Sequence, residues 1–136
     1  MIEEAYVSFE TAKLLKEKGF NEECFALYNP DGVLIQSGIR LNNIQVGRVK
    51  GSYSAPTQQM AMRWLREVHH LYINVGFGND YKGEFLYMAD IYDLTKEAIH
   101  AKYEPIIEAD DYLSDNPKTY EEACEAAIKY VLENLI

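Results

Sequence analysis

Residues 54–94 read "SAPTQQMAMRWLREVHHLYINVGFGNDYKGEFLYMADIYDL", and the apolar period changes part-way along. From Ser54 to His70, Met60, Trp64 and Val68 recur every four positions, with Ala61 and Leu65 beside them. That spacing gathers apolar side chains on one face of a helix. Pro56 costs nothing before or within a first turn, and Thr57 or Ser54 can cap it. Arg63, Arg66, Glu67 and His70 fall on other faces. From Leu71 the period becomes two. "LYINVGF" is rich in β-branched and aromatic residues, "GNDYKG" makes a turn, and Phe85, Tyr87, Ala89 and Ile91 alternate with Leu86, Met88, Asp90 and Tyr92. The stretch predicts a helix followed by a β-hairpin.

The same order precedes it. In "SFETAKLLKEKGF" (residues 8–20) Ser8 can cap a helix whose stripe is Phe9, Ala12 and Leu15 with the Lys16 stem; Gly19 offers a left-handed stop, and Phe20 can fold back. "CFALYNPDGVLIQSG" (24–38) places Asn29-Pro30-Asp31-Gly32 between two apolar runs, a hairpin signature. In "IRLNNIQVGRVKGSYS" (39–54), Ile39, Leu41, Ile44 and Val46 predict a strand extension, since Gly47 and Gly51 break any helix. Residues 95–118 predict a short helix near Lys96–Lys102 and then an irregular acidic loop. "TYEEACEAAIKYVLENLI" (119–136) is a closing helix, with Thr119 and Glu122 at capping-box spacing. The predicted fold is α+β in the order α-β-β-α-β-β-α, with an antiparallel sheet of about four strands packed with helices. Residues 1–136 form one domain on length grounds.

Composition narrows the function classes. An apolar fraction of 48% and a charged fraction of 26% are those of a soluble globular chain. "MIEEAYVSFE" does not resemble a signal peptide, and no apolar run reaches the roughly 20 residues of a membrane span. The expectation is a cytoplasmic protein with no membrane partner. Cys24 and Cys124 read as buried, reduced thiols. The net charge of −9 disfavours general affinity for nucleic acid, although residues 40–70 carry a local balance of +4 and residues 71–136 one of −9.

No catalytic constellation emerges. There is no G-x-S-x-G elbow, and Cys124 sits on an apolar face that favours inertness. His69, His70 and His100 lack the paired short spacings of a zinc site, so no metal is expected. Glu108, Asp110, Asp111 and Asp115 read as a solvated acidic loop. The glycines of "GFGNDYKG" lie between two strands, where neither dinucleotide nor P-loop binding is built. No cofactor is expected. Two surfaces remain. Arg40, Arg48, Lys50, Arg63 and Arg66 make a basic group with Tyr53 and Trp64 near it in sequence. Tyr72, Tyr87 and Tyr92, from a total of eleven Tyr, suit a protein interface.

"YVSFETAKLLKEKGF", "SAPTQQMAMRWLRE" and "TYEEACEAAIKYVLENLI" resemble segments of a widespread group of short, uncharacterised proteins of gut bacteria and their phages or mobile elements. The resemblance covers Tyr6–Phe20, Ser54–Val75 and Tyr87–Ile136. The closing segment is also similar to phage-borne proteins with an α-β-α sandwich domain. The resemblance implies a phage or mobile-element setting and an α+β fold, and it brings no catalytic residues. The expected function is non-enzymatic protein–protein interaction, with itself in a homo-oligomer or with a host protein. The alternative is a small nucleic-acid-binding module using the arginine group.

Overall fold

Ser8 opens the first helix, α1 (Phe9–Glu17), by accepting a hydrogen bond from the Thr11 amide through its hydroxyl at 3.2 Å. Gly19 closes it at φ +95°, and Phe20 turns back into the core. The computed structural model describes residues 1–79, 82–95 and 117–136. The helix expected near Lys96–Lys102, the acidic loop after it and His100 lie outside those residues.

The first hairpin joins β1 (Cys24–Tyr28) to β2 (Leu34–Leu41). Its turn is held by the Asn29 side chain, which accepts from the amides of Asp31 and Val33 at 3.0 Å each, and Gly32 supplies the positive φ. The strand predicted through Ile44 and Val46 does not form. Asn42 and Gln45 make a reciprocal capping box instead, starting a one-turn helix, α2 (Asn43–Val46). The chain then adds a two-residue strand, β3 (Tyr53–Ser54), against β1.

Thr57 caps α3 (Gln58–Val68). Its buried face is Gln58, Ala61, Met62, Trp64 and Leu65, whereas Met60 and Val68 are exposed. The apolar face is therefore turned from the predicted one, because the buried row runs 58, 61, 62, 65 and starts with a polar residue. Gln58 is accommodated there by donating its side-chain N–H to Glu121 O at 3.0 Å. The second hairpin is β4 (Leu71–Asn79) and β5 (Phe85–Asp93), in unbroken antiparallel register. The closing helix, α4 (Tyr120–Asn134), begins at a Thr119 cap; the Glu122 carboxylate reaches one residue further back than a standard box, to the Lys118 amide at 3.0 Å.

The fold is α+β, with the strands divided between two antiparallel sheets of order β2-β1-β3 and β4-β5. A single four-stranded sheet, and the simple alternating order, are corrected by this arrangement. β2 takes one edge of β1 and β3 takes the other, so no place beside β1 is left for the second hairpin. One continuous core nevertheless joins both sheets, from Leu15, Phe20 and Ala26 through Trp64 and Leu65 to Ile73, Ile91 and Ile128. Among the described residues, no helix is long and apolar enough to cross a membrane.

Candidate interaction surface

The hairpin β1–β2 keeps an unusual amount of apolar surface in water. Phe25 is 53% exposed and Ile39 61%, and Val33, Leu34 and Ile35 are exposed too. Side chains alternate along the strands. Cys24, Ala26 and Tyr28 point into the core, so Phe25 and Leu27 lie on the outer face, and Ile35 joins them opposite Leu27. Clusters of exposed apolar side chains mark contact sites.

β2 is also an edge. Among the described residues no strand lies beyond it. The hydrogen-bond phase tells which of its main-chain groups face outward. In an antiparallel pair, residues alternate between bonded partners and partners whose N–H and C=O turn away from each other. Asn29 N donates to Val33 O at 3.1 Å, so these two face each other. Two residues on, Leu27 and Ile35 do the same, which leaves Tyr28–Leu34 and Ala26–Gln36 as the pairs that turn apart. The other side of the sheet agrees, because Ala26 O accepts from Ala55 N at 2.9 Å, away from β2. The amides and carbonyls of Leu34 and Gln36 are thus directed to the free edge.

Beyond Gln36 the edge is irregular. β1 advances from Cys24 to Ala26 while β2 runs from Leu41 back to Gln36, so the extra residues form a bulge at 37–40. Ser37 pins it, its hydroxyl facing Phe25 O at 2.9 Å and Ile39 O at 2.6 Å, and Gly38 turns it at φ +73°. Natural edges are commonly protected by Lys, Pro or a bulge. Here the bulge protects 37–40 alone, and Leu34–Gln36 carries neither Lys nor Pro.

Arg40 leaves the bulge with its guanidinium over the Phe25 ring, 5.2 Å from the centroid. It also lines a cleft of about 670 Å³ beside the hairpin, whose wall carries Glu4, Glu22, Glu23, Phe25 and Met60. At its floor the Cys24 sulfur lies 3.9 Å from that of Met60. Burial, with Glu22 nearby, pushes the Cys24 thiol up to about 12, and burial pushes the Cys124 thiol up to about 11. Both are protonated at neutral pH and poor nucleophiles. Among the described residues, no group of three or more His, Cys, Asp or Glu is placed to hold a metal ion.

The residues singled out from the sequence fall in several places. Arg40 belongs to the hairpin surface. Arg48 and Lys50 are exposed on the loop after α2. Arg63 is exposed on α3 and paired with Glu67 at 3.0 Å, and Arg66 is half-buried on the same helix. Tyr72 and Tyr92 face each other across β4 and β5 with ring centroids 6.2 Å apart. Tyr87 is on the opposite face, stacked edge-on with Phe85 at 5.1 Å and Tyr120 at 6.2 Å. The three tyrosines therefore do not form one patch. The edge residues Leu34, Ile35 and Gln36 escaped sequence reading, because the hairpin pattern is visible in the chain but which of its strands is left unpaired is not.

Comparison of the chain with protein families, with curated proteins and with solved structures finds no match.

Proposed function

We propose that the chain is a non-enzymatic interaction protein that binds other protein by accepting a strand along β2. The observation that carries this is the open edge at Leu34–Gln36, flanked by the exposed apolar side chains of Val33, Ile35 and Phe25. Strand addition draws affinity from main-chain hydrogen bonds and selectivity from alternate side chains. The partner is an extended segment with apolar residues on one face. The proposed setting is the cytoplasm of a bacterial host, within a phage or mobile element. The resemblance of the helical segments supports the setting, and two unpaired, buried cysteines suit a reducing compartment.

The test is a pair of variants on exposed side chains, Ile35→Lys and Ile39→Glu, each checked for an unchanged circular dichroism spectrum. Association with any protein partner, whether a copy or another chain, should weaken at least tenfold in Ile35→Lys. Full association in a folded Ile35→Lys protein contradicts the reading.

A further inference from the structure

We infer that the strand accepted by β2 is the β2 of a second copy, paired antiparallel about a two-fold axis that passes through Ile35. This rests on the reading of β2 as a protein-binding edge and names its occupant.

The hydrogen-bond phase sets the register. Only Leu34 and Gln36 direct both main-chain groups outward along the regular part of the edge. A two-fold axis perpendicular to the sheet keeps each side chain on its own face, so residues opposite each other must be an even number apart. With the axis at Ile35, Leu34 of one copy faces Gln36 of the other, and the reverse. Each of these pairs exchanges two N–H···O bonds, giving four in all. An axis one residue later, at Gln36, would set Leu34 against Gly38, which lies in the bulge and cannot present a regular strand. The axis at Ile35 uses the regular segment and nothing else.

Side chains and charges fit the same register. Ile35 meets its own copy in a non-bonded pair, where side chains come closest, and 41% of its surface is free to be covered. Asp31 lies in the turn before the regular segment and Arg40 at the end of the bulge after it, so antiparallel pairing brings the carboxylate-bearing end of one copy towards the guanidinium-bearing end of the other. Both Asp31 and Arg40 are exposed, and among the described residues neither makes an ion pair. An antiparallel pairing brings opposite ends together, and this strand has opposite charges at its ends. The product is one six-stranded sheet, β3-β1-β2 continued by its symmetry mate.

Single cysteines test the axis. In a non-bonded antiparallel pair the Cα atoms are about 4.5 Å apart, within disulfide reach. Ile35→Cys should form a covalent dimer under mild oxidation, seen on a non-reducing gel. Gln36→Cys faces Leu34 of the other copy and should remain largely uncoupled, as should the wild type with its buried thiols. Light scattering of the unmodified protein should give twice the 15.7 kDa chain mass, and Ile35→Lys should return it to one. Equal coupling of Ile35→Cys and Gln36→Cys overturns the register. A wild-type monomer at hundreds of micromolar overturns the second copy as occupant. If such a monomer still binds another purified protein in an Ile35-dependent way, strand addition stands without self-pairing; if it binds none, both are overturned.

Discussion

Asn43 is buried, and both ends of its side-chain amide are used on main chain. Nδ2 donates to Phe20 O at 2.7 Å, and Oδ1 accepts from Ser54 N at 2.8 Å. It thereby ties the end of α1 to β3 through the first residue of α2. Asn43→Leu keeps the branched arrangement of heavy atoms and leaves two buried main-chain groups unpaired, at about 1–3 kcal/mol each. The expected loss is about 2–6 kcal/mol in urea unfolding, and a loss below about 1 kcal/mol would show that water replaces the amide. His69 makes a second residue-scale prediction. Its ring lies edge-on to Trp64 at 4.7 Å, and its Nε2 is buried with no hydrogen-bond partner among the described residues. Burial, and then the neighbouring His70, hold its pKa below the ordinary 6.5. The unfolded chain therefore binds the proton more readily than the folded one. The stability this residue protects is present above about pH 6.5 and is lost as pH falls through the lower, folded value. His69→Gln should flatten that part of the stability–pH curve; an unchanged slope below pH 6.5 would assign it to other groups.

At the scale of elements, α1 is capped twice, once by its own Ser8 and once by α4. Glu125 Oε1 accepts from the Ser8 amide at 3.1 Å and from the buried Thr11 hydroxyl at 2.6 Å. The carboxylate sits at the positive end of the α1 dipole, where negative charge is favoured. Lys129 on the same helix pairs with Glu10 at 2.9 Å, one turn away along the same contact. Glu125→Ala should cost about 1–3 kcal/mol, chiefly by removing the carboxylate that accepts the Thr11 hydroxyl proton and the Ser8 amide. Lys129→Ala should cost well under 1 kcal/mol, because that pair is exposed. Equal losses measured by thermal unfolding would contradict the distinction. These contacts also show what the sequence could reveal. The caps at Ser8, Thr57 and Thr119, the Gly19 stop and the Asn29–Gly32 turn were all legible, because each is local chemistry. The α2 capping box was present as Asn42 and Gln45 at the right spacing, but the apolar residues Ile44 and Val46 suggested a strand. The α3 face was misplaced because Gln58 is polar, and the Glu121 carbonyl that satisfies it is remote in sequence.

At the scale of the molecule, the division into two sheets decides where the surface is open. Had the second hairpin paired with the first, β2 would have had a neighbour and the apolar side chains of Val33 and Ile35 would have been covered. Instead β4–β5 packs under α3 and α4, and among the described residues no strand pairs with the outer edge of β2. None of this is local, so the basic group and the tyrosines drew attention from sequence while the edge did not. The seam proposed at Ile35 joins an exposed apolar centre to a rim that carries Asp31 and Arg40. Rim charges chiefly affect association rate and its salt dependence. Arg40→Gln should therefore slow dimer formation at low salt and change little at high salt, read by dilution-jump light scattering.

The most direct measurement is amide hydrogen exchange at Leu34 and Gln36 as a function of protein concentration. Both amides point out of the monomer's sheet and into the seam of the pair. They should exchange slowly in concentrated protein and rapidly after dilution, while the amides of Val33 and Ile35, bonded within the hairpin, remain comparatively constant. Fast exchange at Leu34 and Gln36 at every concentration would contradict strand pairing between copies.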